Sequence, residues 1–92
     1  MSGPPTPQKL DSPAALGRFL RAARKARGLT LVDLREATAL STRFLSELER
    51  GKPNASLGRA LRALSTLGFD VWVVPRSTSA RLARLTREDS EP

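Results

Sequence analysis

Thr42, Arg43, Ser46 and Glu47 stand at i, i+1, i+4 and i+5, a spacing that gathers four polar side chains on one helical face. Their types suit recognition rather than turnover. The planar fork of Arg43 matches the two acceptors of a guanine edge, and Glu47 can accept from the amino group of cytosine. Thr42 offers a hydroxyl and a methyl group, and Ser46 is small enough to permit close approach. The plainer alternative is a solvated helix face in which Arg43 pairs with Glu47 one turn on.

Chemistry of other kinds is poorly supplied. The 92 residues contain neither Cys nor His, which removes thiolate chemistry, disulfides, the commonest general base and the commonest metal ligand. The carboxylates and lysines that remain form no paired arrangement for acid or base work, so no enzyme, cofactor or metal is expected. Sixteen Lys and Arg against nine Asp and Glu give a net charge of +7, a field that attracts a polyanion, nucleic acid first. No apolar run at the N-terminus resembles a signal or anchor, and no stretch reaches spanning length, so a cytoplasmic protein is expected.

The elements that must carry the polar face follow from periodicity. Residues 1–13 hold Pro4, Pro5, Pro7 and Pro13 among Ser, Gly and Thr, and read as a flexible leader. From Ala14 to Arg27, Leu16, Phe19, Leu20 and Ala23 line one side of a helix, with Arg18, Arg21 and Lys25 opposite, and Gly28 stops it. Thr30 caps a second helix, with Asp33 as capping-box partner. Ser41 caps a third, anchored by Phe44, Leu45 and Leu48 and ended by Gly51 and Pro53. Asn54 or Ser56 caps a fourth, in which Leu57, Leu61, Leu64 and Leu67 form the apolar stripe.

After Gly68 the pattern alternates: Phe69, Val71 and Val73 on one side, Trp72 and Val74 on the other, until Pro75. The expectation is one strand over 69–74 that no other segment of the chain completes, so it pairs with its own copy across a homodimer axis. The alternative is an edge segment lying against its own helices. Residues 77–92, with Leu82 and Leu85 among Arg81, Arg84 and Arg87, read by default as a disordered tail.

Two short helices joined by a three-residue turn, the second opening on small polar and basic side chains, form the helix-turn-helix signature. Gly28-Leu29-Thr30, Asp33-Leu34 and the run from Ser41 to Pro53, followed by a helix that runs into an apolar strand, resemble the XRE-type family and, within it, the HipB-like antitoxins; the resemblance covers residues 14–76. It implies a mostly α, four-helix, lambda-repressor-like domain with one C-terminal strand that pairs across a homodimer. It implies a repressor of a palindromic operator in double-stranded DNA that neutralises a HipA-like serine/threonine kinase toxin and represses its own operon. A protein-interaction antitoxin with weak DNA binding, or a repressor without a toxin, are the alternatives.

By the same resemblance Thr42, Arg43, Ser46 and Glu47 face bases, while Thr30, Ser41, Arg50, Lys52 and Asn54 lie near phosphates. Arg50 and Lys52 also suit the negative end of a helix. Arg24 and Glu49 match a structural pair that ties the first helix to the third. Where the family commonly has Ala, Gly and Gln, this chain has Arg35, Ala39 and Leu31. Ala39 in the turn implies either a strained left-handed residue or a reshaped turn, and Arg35 implies a wider helix crossing or a stem that escapes to solvent.

Overall fold

The computed structural model describes residues 7–90, with side chains as far as residue 85. Five helices follow in order: α1 Pro13–Ala26, α2 Leu31–Thr38, α3 Thr42–Glu49, α4 Leu57–Thr66 and α5 Arg76–Ser90. Residues 10–71 form one unit, which holds α1 to α4; among the other described residues, 72–90 belong to a second, which holds α5.

Each helix of the first unit starts on a hydroxyl. The Ser12, Thr30, Ser41 and Ser56 side chains accept from the backbone N–H of Ala15, Asp33, Phe44 and Arg59. Such a cap is worth about 1 kcal/mol. At α2 the expected capping box is complete, because Asp33 Oδ2 also accepts from the Thr30 N–H at 2.8 Å. Ser56, rather than Asn54, caps α4.

The core of this unit gathers Leu20, Leu34, Leu40, Leu45, Leu48, Leu64 and Leu67 with Ala60 and Ala63. Phe19 and Phe69 meet edge to face over it, centroids 4.7 Å apart. Two glycines set helix placement. A Cβ on Gly17 would lie 2.5 Å from the Glu49 carbonyl oxygen, so α1 crosses the end of α3 at backbone contact. Gly51, at φ +83°, closes α3 with the double bond of a Schellman turn, its own N–H to the Leu48 carbonyl and that of Lys52 to the Glu47 carbonyl.

Several expectations are corrected. The apolar stripe of α4 is rotated: Leu57 is 71% exposed and Leu61 is exposed, while Ala60 and Ala63 are buried with Leu64 and Leu67. Small side chains let α4 approach closely, and bulk alone misjudges which face packs. The four helices become five, because residues 77–90, read as disordered, belong to α5, whose N-terminal Pro75–Arg76 step suits a helix start. Residues 69–74 form no strand among the described residues. A ladder needs a partner strand, and the Phe69 N–H is spent on the Leu64 carbonyl, which closes α4. The leader assigned to residues 1–13 lies outside the described residues at positions 1–6, and Pro13 already opens α1.

The turn keeps its shape by straining Ala39. Its φ is +61° and its N–H bonds the Arg35 carbonyl at 2.8 Å, so a left-handed residue ends α2 without glycine. Arg35 resolves as a solvent-directed stem, its guanidinium 3.5 Å from the Glu36 carboxylate.

Candidate nucleic-acid interface

The α2–α3 pair is held as one body. Leu34 is buried before the turn, Leu40 within it, and Leu45 and Leu48 after it. Thr38 fixes the corner: its hydroxyl donates to the Leu34 carbonyl at 2.7 Å and accepts from the Leu40 N–H at 3.1 Å. Sequence reasoning missed this bond, although a Thr just before a turn is its usual signal.

With Leu45 and Leu48 turned inward, Thr42, Ser46, Arg50, Arg43 and Glu47 fall on the outer arc of α3. Arg43 is the most exposed of them, its side chain 88% accessible, while Thr42, Ser46 and Glu47 are half-buried. Arg50 and Lys52 are exposed at the end of α3, and Thr30, Ser41 and Asn54 are exposed at the surrounding loops. The hydroxyls of Thr30 and Ser41 already accept cap bonds, which leaves their O–H protons free to donate.

One carboxylate joins two of the cations. Glu47 lies 3.6 Å from Arg43 Nε and 3.2 Å from Lys52 Nζ. The Lys52 hydrogen bond, assisted by the charges of Lys52 and Arg43, holds the Glu47 carboxyl below the usual carboxylate range. The Arg43 to Glu47 pairing of the plainer alternative is therefore present, and the arc still projects its guanidinium outward.

Behind the arc, Arg24 and Glu49 form the expected pair. Arg24 Nε and Nη2 donate to the two Glu49 oxygens at 2.7 and 3.0 Å, and Nη1 donates to the Leu29 carbonyl at 2.8 Å. The bond to Glu49 holds the Arg24 proton more tightly than usual. Two further cations escaped the sequence reading. Arg27 donates to the Leu67 carbonyl at 3.1 Å, tying the end of α1 to the end of α4, and the Arg59 guanidinium lies 5.8 Å from the Phe44 ring centroid. The signal for Arg27 is only that a basic side chain just past a helix end seeks carbonyls, and Arg59 leaves none in the sequence.

No group of three or more residues that could hold a metal occurs among the described residues, and none of their helices is long and apolar enough to cross a membrane. The arrangement can present hydrogen-bond donors and positive charge on a rigid helix, which is the chemistry of groove recognition.

Comparison with known proteins agrees with this geometry. Residues 15–76 match the family described as helix-turn-helix domain. An uncharacterized HTH-type transcriptional regulator of Sinorhizobium fredii, y4mF, is 34% identical over 67 residues, 73% of this chain and 88% of that protein. The HTH-type transcriptional regulator DdrOP3 of Deinococcus deserti is 44% identical over 52 residues, 56% of this chain, which spans 40% of that relative. Among solved structures, a HipB variant in complex with an O2 20mer superposes with a TM-score of 0.71 at 21% identity, over 76% of this chain and 97% of that one. HipB in complex with an O4 20mer gives 0.69 at 22% identity, over 74% and 96%. At that identity the likeness is one of fold. The chain belongs to the XRE-type helix-turn-helix family, and its fold is HipB-like.

Proposed function

We propose that this chain is a sequence-specific transcriptional repressor that lays α3 in the major groove of a palindromic operator. Thr42, Arg43, Ser46 and Glu47 meet base edges, and Thr30, Ser41, Arg50, Lys52 and Asn54 meet phosphates on either side. The observation that carries the reading is the outer arc of α3, with Arg43 88% exposed on a helix anchored by buried Leu45 and Leu48. The net charge of +7 and the fold shared with HipB, solved in complex with O2 and O4 20mers, support it. In a salt series of fluorescence-anisotropy titrations, the DNA upstream of the gene binds much more tightly than scrambled DNA. Equal, weak binding to both contradicts the reading.

The repressor acts as a homodimer that meets its copy through Val71, Trp72, Val73 and Val74, while Phe69, first in the apolar run, packs on Phe19 of its own chain. Support comes from Trp72 and Val73, whose apolar side chains are 81% and 96% exposed. Pairing gains two half-site contacts at once, so a monomer loses most of its operator affinity. Trp72→Lys or Val73→Lys yields monomers in light scattering; a variant that stays dimeric refutes the pairing.

The same chain serves as the antitoxin of a HipA-like kinase toxin. The fold likeness to HipB and the motif resemblance support this part. A neighbouring kinase gene whose toxicity is relieved by co-expression of this chain is the expected result, and a neighbour unrelated to kinases counts against it.

A further inference from the structure

The end of α3 does more than stop a helix. Its Schellman turn, which requires Gly51 at φ +83°, brings the Lys52 N–H to the Glu47 carbonyl at 3.1 Å. That places the Lys52 side chain over the Glu47 side chain, whose Oε1 accepts from Nζ at 3.2 Å while Oε2 faces Arg43 Nε at 3.6 Å. A single carboxylate thus holds one cation from the centre of the arc and one from its edge, and the backbone turn makes the second contact part of the fold.

On any DNA, Arg43 and Lys52 must exchange this carboxylate for new partners. On the wrong sequence they receive only phosphate oxygens, and Glu47 is left facing a polyanion. On the right sequence Arg43 receives a guanine edge and Glu47 receives an amino group, so the lost intramolecular bonds are replaced. We propose that Glu47 is a specificity-determining residue that works chiefly by holding Arg43 and Lys52 away from non-cognate DNA. The proposal rests on the reading of α3 as the DNA-facing helix.

The test compares Glu47→Gln with Glu36→Gln, which removes the same charge from an exposed α2 residue that pairs with Arg35 and lies outside the arc. Both variants are titrated against the upstream DNA and scrambled DNA over a salt series, after circular dichroism confirms the fold. Glu36→Gln strengthens binding to both DNAs by a similar factor and leaves their ratio unchanged. Glu47→Gln strengthens scrambled-DNA binding about tenfold more than the control does, lowers the ratio accordingly, and steepens the salt slope on scrambled DNA by about one to two, as freed cations meet phosphates. In the Glu47→Gln background, Lys52→Ala costs more affinity for scrambled DNA than it does in the wild type.

A Glu47→Gln ratio that matches the control overturns the proposal, and so do additive effects of the two substitutions. Loss of operator affinity with scrambled binding at the control level overturns it too, since it makes Glu47 a base reader alone. A wild type that does not distinguish the two DNAs defeats the underlying reading of α3, an outcome separable from all of these.

Discussion

Arg24 of α1 and Glu49 of α3 face each other through two hydrogen bonds of 2.7 and 3.0 Å, with side chains 10% and 7% exposed, and so bolt the back of the candidate recognition helix to the rest of the domain. Removing one partner leaves the other charge buried and unpaired. Glu49→Ala is expected to destabilise the domain by about 3 to 5 kcal/mol. Chemical denaturation measures it, and the DNA selectivity of the fraction that remains folded should persist, because neither residue lies on the outer arc.

Gly17→Ala tests the same junction from the backbone. Its Cβ would meet the Glu49 and Leu48 carbonyl oxygens at 2.5 and 2.6 Å, and neither belongs to a flexible side chain. A loss of about 2 kcal/mol is expected by analogy with overpacked cores, against a gain of up to about 1 kcal/mol were the site open. The thermal midpoint decides between them.

Ala39→Gly should act in the opposite sense. The residue stands at φ +61°, where an L side chain crowds its own carbonyl, and glycine removes that strain. Stabilisation of about 1 kcal/mol is expected from denaturant midpoints, with the operator preference unchanged.

The pH response follows from two carboxyls. Asp33 is held below its usual range by the backbone and hydroxyl of Thr30, and Glu47 by Lys52 and Arg43. Their folded pKa values are lowered, so their contribution is present above the ordinary carboxylate range and is lost as pH falls through the folded values. Stability should decline on the acid side of that range, and Asp33→Asn should flatten the decline. A variant that declines as steeply as the wild type rules out the cap as its source.

What the sequence disclosed was local. The Thr30–Asp33 box, the Ser41 cap and the inward Leu45 and Leu48 are set within a turn or two of chain, and periodicity finds them. The Arg24–Glu49 pair was legible only through family resemblance, because a contact between residues 25 apart leaves no periodic trace. The α4 face was misjudged because leucine counts more than alanine in any apolar pattern, whereas close helix packing selected Ala60 and Ala63. Gly17 went unread, although a glycine inside a helix, at a cost of about 1 kcal/mol, asks for a packing reason. The strand expected over residues 69–74 is absent among the described residues, because alternation marks side chains suited to a ladder but cannot supply the partner a ladder needs. The link from Glu47 to Lys52 was hidden because it depends on the turn at Gly51 rather than on helical spacing.

Whether Arg43 reads a base is decided by a competition titration of wild type and Arg43→Ala between the upstream DNA and the same site with one guanine of each half-site replaced in turn. One guanine position is expected at which replacement weakens the wild type by about 1 to 3 kcal/mol but leaves Arg43→Ala indifferent, the mark of a lost bidentate contact. If Arg43→Ala weakens binding to every sequence by the same factor, Arg43 is a phosphate contact and α3 does not read bases through it.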